Sequence, residues 1–390
     1  MKDYGRLFLI KIINLRFSMY LIVGCGLSGA VIAERIANVL NDKVLIIEKR
    51  DHIGGNCYDY IDKETGILIN KYGAHLFHTN HEDVWEYINK FDEWKRWEHK
   101  VLAYVDDKFV SMPVNITTVN ELCGENIRNE EEMKIWLEKN QEKYDEIVNS
   151  EQMAKSRIGT QLYDKMVKNY TFKQWNKYPE ELDKSVLERI PLRTNFDTRY
   201  FSDKYQALPK KGYTHFFQNL LNHPNIEIKL NTDFLLFRKE NDLTQFKKII
   251  YTGPIDMYFN NFNKIDKLEY RSIDFKIRKY YNMNYFQPNS VVNYPEKEYP
   301  YTRIVEYKHF LYQKSRHTVI VSETTSDVGE PYYPVPNKKN LELYEKYRKM
   351  AEEEKNVYFL GRLANYKYFN MDEAIKNSLD FFKNNLSYNK

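Results

Sequence analysis

A glycine-rich turn near the start of the chain limits the folds that this sequence can adopt. The turn, GCGLSG at residues 24–29, follows the short apolar segment Tyr20–Val23 and precedes Ala30–Leu40, whose apolar residues recur at helical spacing. Lys43–Glu48 (KVLIIE) is a second apolar segment and predicts another strand. A strand, a glycine turn, a helix and a strand in this order form the βαβ unit of a Rossmann-type domain, so the sequence predicts an α/β fold.

The glycines and one acidic residue of this unit predict a dinucleotide-binding site. Gly24 permits the tight turn, Gly26 lets the backbone approach a pyrophosphate, and Gly29 lets the helix and strand pack closely. The helix offers the N–H groups of its first turn to the phosphates. Glu48 ends the second strand about 20 residues after the turn, where an acid accepts hydrogen bonds from ribose hydroxyls.

A second glycine pair favours FAD over NAD as the dinucleotide. Gly54 and Gly55 follow the acid closely and let another piece of backbone close on the ligand, which NAD binding does not require. The segment resembles the extended fingerprint of flavin enzymes of the glutathione-reductase and amine-oxidase type. Near the end of the chain, Asn370 precedes a predicted helix whose positive N-terminus would favour an anionic reduced flavin.

Composition and charge exclude several other classes of protein. The net charge of +4 is spread along the chain without a basic cluster, so no nucleic-acid partner is expected. The 3 cysteines have no CxxC spacing, which predicts neither zinc nor a disulfide framework and favours a cytoplasmic location. The apolar stretch in residues 1–18 is too short for a membrane span and lacks a signal-cleavage site, so we expect a dispensable arm and no membrane insertion.

Segments from Met19 nearly to the C-terminus resemble the bacterial UDP-galactopyranose mutases and occur in the family's order. They are EKRDHIGGN, KYGAHLFHTN, YTFKQW, ERIPLR, YFSDKYQALPKKGY, YTGPID, LEYRS, YTRIVEYKHF, EPYYPV and GRLANYKYFNMD. A resemblance of this length is far more specific than the glycine motif alone.

The resemblance implies a fold of three parts. These are a Rossmann-type FAD-binding domain like that of glutathione reductase, an inserted helical bundle with a mobile loop, and a twisted antiparallel β-sheet. The expected boundaries are 19–96, 205–265 and 340–390 for the FAD-binding domain, 119–192 for the bundle, and 97–118, 193–204 and 266–339 for the sheet, with 1–18 as an N-terminal extension.

The resemblance also implies an isomerase that interconverts UDP-galactopyranose and UDP-galactofuranose. Reduced flavin N5 would attack the anomeric carbon, displace UDP and form a sugar–flavin adduct in which the ring opens and recloses. FAD must therefore be reduced, by NAD(P)H or a reductase. The implied setting is a cytoplasmic homodimer that supplies galactofuranose for cell-surface polysaccharides.

The family's functional residues are carried over to matching positions of this chain. Arginine suits the diphosphate because its planar fork binds two oxygens at once, and no metal is expected at the histidines of GAHLFH. The catalytic residues would be His78, Arg189 and Arg303. The cofactor-binding residues would be Gly24, Gly26, Ser28, Gly29, Glu48, Lys49, Gly54, Gly55, Asn56, His75, Arg362, Asn370 and Met371. The substrate-binding residues would be Tyr170, Trp175, Arg189, Tyr200, Arg271, Arg303, Tyr333, Tyr368 and His99.

Two positions depart from the family pattern, and other functions stay open. His99 stands where relatives carry asparagine, near the sugar, and Asn370 stands where relatives often carry aspartate, beside the flavin. The main alternative is an FAD-dependent oxidoreductase of the amine-oxidase type, which shares the fingerprint but passes electrons to an acceptor. A nucleotide-sensing protein with a vestigial flavin site and an NAD dehydrogenase are further alternatives.

Overall fold

The computed structural model describes residues 19–188, 191–259 and 265–387. The predicted functional residue Arg189 and the extension 1–18 lie outside these ranges. The strands in the described ranges are β1 (Met19–Val23), β2 (Lys43–Ile47), β3 (Asp59–Ile61), β4 (Leu68–Asn70), β5 (Phe77–Thr79), β6 (Trp94–Arg96), β7 (Val101–Val105), β8 (Lys108–Met112), β9 (Tyr205–Pro209), β10 (Ile226–Lys229), β11 (Ile249–Tyr251), β12 (Tyr270–Tyr280), β13 (Val291–Asn293), β14 (Arg303–Glu306), β15 (Thr318–Ser326), β16 (Tyr333–Pro334) and β17 (Val357–Phe359).

The α-helices of the described ranges lie both between these strands and at the end of the chain. They are α1 (Leu27–Arg35), α2 (Glu82–Ile88), α3 (Ile116–Cys123), α4 (Glu130–Asn140), α5 (Ser150–Leu162), α6 (Asn169–Trp175), α7 (Ser185–Glu188), α8 (Tyr213–Leu220), α9 (Phe234–Glu240), α10 (Ile255–Phe259), α11 (Lys338–Glu353) and α12 (Met371–Asn385). Shorter 3₁₀ and π-helical turns connect several of them.

A parallel sheet in the order β10-β2-β1-β11-β17 forms the first part of the fold. Strands β1 and β2 read MYLIV and KVLII, and almost every side chain in them is buried, as the continuous apolar runs of a sheet covered on both faces require. Helix α1 connects them and continues into a π-helical turn, Ile36–Leu40. The predicted βαβ unit is confirmed, although its helix begins at Leu27, earlier than the pattern suggested.

A second sheet has the strand order β16-β12-β15-β14-β13-β7-β8, and its strands alternate along the chain with those of the parallel sheet. Its neighbouring strands are antiparallel except for β7 and β13, which run parallel. These two strands are separated by the long helical excursion of the chain, so β13 can return in the same direction as β7. The expected antiparallel sheet is therefore present with a parallel pair inside it.

Helices α3 to α7 follow β8 of the second sheet and precede β9, which belongs to a smaller sheet in the order β5-β9-β6. The buried residues of α3, α5 and α6 join the same hydrophobic core cluster as β1 and β7. The α/β class with a Rossmann-type domain is confirmed, while the boundaries between the three parts remain a proposal. None of the helices within the described ranges is long and apolar enough to cross a membrane.

Candidate active site

The glycine turn after β1 forms a close-packed backbone cradle. Gly24 has a φ of +102°, and a Cβ on it would lie 2.2 Å from Oγ1 of Thr252. A Cβ on Gly29 would lie 2.0 Å from the carbonyl oxygen of Gly24, so any larger residue would push α1 away from β1. Both glycines are therefore required by the turn itself, as the dinucleotide-binding pattern predicts.

The glycine pair Gly54-Gly55 lies against the backbone of the glycine turn after β1. A Cβ on Gly55 would lie 2.8 Å from the Cα of Gly26, so the two backbone segments are in direct contact. Gly54 and Gly55 have φ values of +89° and +54°. This contact gives the double backbone closure on which the sequence-based preference for FAD rests.

Glu48 organises the end of β2 beside this cradle. Its carboxylate is buried and accepts the N–H groups of Cys25 (2.8 Å) and Arg50 (2.9 Å). Each oxygen keeps further lone pairs, which suits ribose hydroxyls as donors. In the described part of the chain no side chain caps α1, whose N-cap is Gly26, so Ser28 and its neighbours leave backbone N–H groups for phosphate. These residues fit an FAD dinucleotide.

Two predicted cofactor residues, Lys49 and Asn56, make contacts with other side chains of the protein. Nζ of Lys49 lies 2.7 Å from Oε1 of Glu330, and Oδ1 of Asn56 accepts a hydrogen bond from Nη1 of Arg50 at 3.0 Å. Arg50 also reaches Oε2 of Glu330 at 3.1 Å. Lys49 and Asn56 thus help to tie the loop after β2 to the loop before β16.

A cavity of about 540 Å³ opens beside the N-terminus of α12. Its lining includes most of the side chains that the resemblance assigns to flavin and sugar nucleotide, and these are His75, His78, His99, Tyr170, Trp175, Tyr200, Arg303, Tyr333, Arg362, Tyr368, Asn370 and Met371. Residues far apart in sequence are therefore brought to one cavity.

Arg271 is the exception among the described substrate residues. Its side chain is only 3% exposed and does not line the cavity. Nε donates to the carbonyl oxygen of Gln174 at 3.0 Å, and Nη1 pairs with Asp327. Arg271 therefore holds the C-terminal end of α6, the helix that lines the cavity with Tyr170, Thr171, Gln174 and Trp175.

Arg303 supplies a fixed positive charge to the cavity. Its Nε donates to Oε2 of Glu323 at 2.7 Å, and Oε1 of that buried carboxylate has no partner within the described ranges. The neighbouring carboxylate raises the pKa of Arg303 against the effect of burial. Burial raises the pKa of Tyr170, and the Arg303 charge opposes this shift. At neutral pH the cavity thus combines a guanidinium with protonated phenol donors.

A stack of aromatic rings and one arginine forms another wall. Tyr333 and Tyr368 stack with ring centroids 5.5 Å apart, and the guanidinium of Arg362 lies 5.4 Å and 5.0 Å from those centroids. Burial raises the pKa of Tyr333 to about 12. Nη2 of Arg362 donates to the carbonyl oxygen of Phe369 at 2.5 Å, which fixes its position next to α12.

The histidines of the cavity differ in their surroundings. Burial lowers the pKa of His75 to about 4 and that of His99 to about 3, so both rings are neutral at pH 7. Nδ1 of His75 lies 2.8 Å from the carbonyl oxygen of Gly73 and so carries the proton, which leaves Nε2 as an acceptor. His78 stacks on Phe201 with centroids 3.7 Å apart, and its Nδ1 lies 3.0 Å from Oδ2 of Asp203.

Helix α12 begins at the cavity with Asn370 as its N-cap. The backbone N–H of Asn370 donates to Oε2 of Glu373 at 2.7 Å. Asp372, in the first turn, is buried, and its Oδ1 has no partner within the described part of the chain. Burial raises the pKa of Asp372. The start of α12 therefore presents Asn370 and Met371 to the cavity above a strongly desolvated carboxyl group.

Sequence reasoning missed Glu323 and Asp203, the carboxylates that orient Arg303 and His78. Asp203 lies in the segment YFSDKY, which carries the resemblance, whereas Glu323 ends the segment HTVIVSE, which does not. Their partners are 125 and 20 residues away in sequence, and no local pattern pairs them. Only strand pairing, such as the register of Arg303 with Glu323, brings them together.

The fold and cavity together define a Rossmann-type dinucleotide-binding enzyme with a cationic, tyrosine-rich pocket. The family model described as UDP-galactopyranose mutase matches residues 165–368, and that of an NAD(P)-binding Rossmann-like domain matches residues 22–91. The chain is 38% identical over 363 residues to a probable UDP-galactopyranose mutase of Klebsiella pneumoniae, covering 92% of each chain. The chain belongs to the UDP-galactopyranose mutase family, whose named members are isomerases.

Two further similarities bear on substrate and fold. The chain is 37% identical over 376 residues to the dTDP-fucopyranose mutase of Escherichia coli, covering 94% of this chain and 98% of the relative. The crystal structure titled reduced UDP-galactopyranose mutase superposes with a TM-score of 0.73 at 17% identity, covering 93% of this chain and 94% of the other. The first relative is named for a different nucleotide sugar, and the second supports the fold.

Proposed function

We propose that this chain is a UDP-galactopyranose mutase that interconverts UDP-galactopyranose and UDP-galactofuranose. The observation that carries the proposal is the cavity in which Arg303, fixed by Glu323, faces the hydroxyl-bearing rings of Tyr170 and Tyr333 beside the N-terminus of α12. A diphosphate leaving group needs a cation and several donors held in place, and this cavity offers both. Family membership supports the same reaction.

The cradle of Gly24, Gly26 and Gly55 and the carboxylate of Glu48 would hold the FAD dinucleotide. When bound and reduced, the flavin supplies a nucleophile, its N5, to the anomeric carbon of the sugar. The positive end of α12 would favour the anionic reduced form, and Asn370 adds no charge against it.

The side chains around the diphosphate would act by position and charge. Arg303 would stabilise the two negative charges of the departing nucleotide, and Arg189 is proposed as its second cation. The protonated hydroxyls of Tyr170, Tyr200, Tyr333 and Tyr368 would donate to phosphate and sugar oxygens. Such fixed donors favour the transition state because they need no reorganisation as charge develops.

The histidines would orient the flavin and the sugar. Neutral His75 offers Nε2 as an acceptor, which suits an N–H of a reduced flavin ring. His78 is oriented by Asp203 and by the face of Phe201, so its Nε2 has a defined direction at the cavity. His99 would contact the sugar, where its ring is larger than the asparagine of relatives.

The test is chromatography of UDP-galactofuranose incubated with the purified protein, with and without dithionite. Conversion to UDP-galactopyranose is expected only with reductant, because oxidised flavin lacks the nucleophilic N5. Release of peroxide from an amine substrate without ring interconversion would instead support an oxidoreductase of the amine-oxidase type.

A second candidate substrate is dTDP-fucopyranose, favoured by the relative that carries this name at 37% identity. Fucose in this form lacks a hydroxyl that galactose carries, and the two nucleotides differ in their base and ribose. The assay is therefore run with both furanose substrates in competition. Preferential conversion of the dTDP sugar would replace the substrate in our proposal and leave the reaction class unchanged.

The cellular setting is also a proposal. We propose a cytoplasmic homodimer whose flavin is kept reduced by NAD(P)H or a reductase. It would supply galactofuranose for the synthesis of cell-surface polysaccharides. Deletion of the gene should remove galactofuranose from surface glycans, and sedimentation should give twice the chain mass of 47.1 kDa.

A further inference from the structure

Helix α6 carries a lysine whose ammonium group enters a cage of backbone carbonyls. Nζ of Lys173 donates to the carbonyl oxygens of Glu296 (2.9 Å), Tyr299 (3.1 Å) and Tyr301 (3.1 Å), and it also contacts that of Tyr294. An ammonium group has three donors, and four oxygens satisfy them completely. In the described ranges no carboxylate lies within 4.0 Å of Nζ, so the cage rather than an ion pair holds the charge.

The cage belongs to the turn that leads into Arg303. Residues 294–302 connect β13 to β14, and Asn293 pairs with Arg303 across this hairpin. The N–H of Tyr294 donates to the carbonyl oxygen of Thr302 at 2.8 Å, which closes the turn. The rings of Tyr294 and Tyr301 pack with centroids 4.9 Å apart. The carbonyl cage is therefore a preorganised part of the strand pair that presents Arg303.

The same helix forms a wall of the cavity. Tyr170, Thr171, Gln174 and Trp175 line it, whereas Lys173 extends to the hairpin. The carbonyl oxygen of Lys173 accepts the hydroxyl of Thr325, and Arg271 donates to that of Gln174 at 3.0 Å. The helix is thus fastened to the second sheet through both its backbone and the Lys173 side chain.

We propose that Lys173 is a positioning residue that sets the spacing between Tyr170 on α6 and Arg303 on β14. This inference rests on the proposed function, because the spacing matters for a diphosphate held by both side chains. Without the ammonium group the four carbonyl dipoles would face one another unpaired, and the hairpin would separate from the helix. A small shift of one donor relative to the other weakens binding strongly.

The test compares Lys173→Met, which keeps an unbranched apolar side chain but lacks the terminal ammonium group, with Lys168→Met as a matched control. Lys168 precedes the same helix, has a side chain that is 43% exposed and does not line the cavity. Flavin content, thermal stability and the Kd of UDP are measured for the oxidised protein, followed by kcat and KM with dithionite. We expect K173M to retain flavin and to bind UDP about 10-fold or more weakly, and K168M to match the wild type.

Chemical rescue separates positioning from a general loss of stability. Lys173→Ala should regain UDP affinity with n-propylammonium, which matches the three carbons and the ammonium group that the variant lacks, and not with n-propanol. If K173M folds poorly, Lys173→Gln, which keeps two donors, should show an intermediate Kd for UDP.

Unchanged UDP affinity in folded K173M, or equal rescue of Lys173→Ala by n-propanol and n-propylammonium, would overturn the inference. A wild-type protein that binds neither UDP nor dTDP would instead overturn the proposed function. The two failures are therefore distinguishable in one binding experiment.

Discussion

Nε of Arg303 donates to Oε2 of Glu323 at 2.7 Å, and the other oxygen of this carboxylate, Oε1, has no partner in the described part of the chain. The pair lies on adjacent antiparallel strands in direct register. A buried carboxylate beside the proposed diphosphate site orients the arginine but also repels the ligand. Both effects can be separated because glutamine has the shape of glutamate without its charge.

Glu323→Gln is expected to lower stability and to tighten UDP binding several-fold. The amide oxygen of the introduced glutamine can still accept from Arg303, so the orientation is kept while the repulsion between carboxylate and phosphate disappears. Melting curves with and without UDP measure both effects, since a tighter ligand gives a larger shift. Glu342→Gln, at an exposed position on α11, is the control. If UDP raised the melting temperature equally in the wild type and both variants, the proposed repulsion between Glu323 and the phosphates would be contradicted.

Arg303→Ala should reduce kcat/KM by roughly 10²–10³-fold while FAD remains bound. The guanidinium is the cation that faces the proposed leaving group, and it has no part in the glycine cradle. Steady-state kinetics with dithionite and the flavin absorbance of the purified protein test this. Arg278→Ala, exposed on β12, should behave like the wild type, and loss of flavin from the Arg303 variant would mean that the residue supports the cofactor instead.

The dinucleotide cradle could be predicted from the sequence because its determinants are local. Gly24, Gly26 and Gly29 follow one another within a single turn, and Glu48 ends the next strand. A positive φ, or a neighbouring backbone that comes too close for a Cβ atom, leaves few alternatives to glycine at such positions. The predicted strand, turn, helix and strand accordingly appear in the structure at nearly the expected residues.

The cavity was less predictable because its geometry depends on tertiary packing. Resemblance transfers the identity of Arg271 but not the direction of its side chain, which holds the end of α6. Glu323 and Lys173 carry no local signal of their roles, since their partners are supplied by a neighbouring strand and a distant hairpin. The roles of the lining residues stay predictions that variants at these positions can test.

Glu48→Ala should lower the FAD content of the purified protein. The carboxylate accepts the N–H groups of Cys25 and Arg50, so its loss both removes the proposed ribose acceptor and loosens the cradle. The ratio of flavin to protein absorbance measures occupancy, and added FAD should restore it with a weakened Kd. Glu227→Ala, exposed on the neighbouring strand β10, is the control. Full flavin occupancy in the Glu48 variant would exclude the ribose role.

Acid should destabilise this protein partly through His99. Its pKa is about 3 in the folded chain, because burial and the nearby Arg303 disfavour the charged ring, whereas an unfolded histidine titrates near 6.5. Between these values the unfolded chain binds the extra proton, so the stabilising contribution is complete above about pH 6.5 and is lost as pH falls towards 3. His75, with a pKa of about 4, acts in the same direction.

His99→Asn removes one of these groups, so its free energy of unfolding should fall less between pH 6.5 and pH 5, by up to about 2 kcal/mol. Urea unfolding at the two pH values measures the difference. The exposed His81 provides a control, and His81→Gln should keep the acid sensitivity of the wild type. An identical loss in the His99 variant and the wild type would show that the ring at position 99 already accepts its proton in the folded protein, which would require water or a counter-charge within reach of its buried Nδ1.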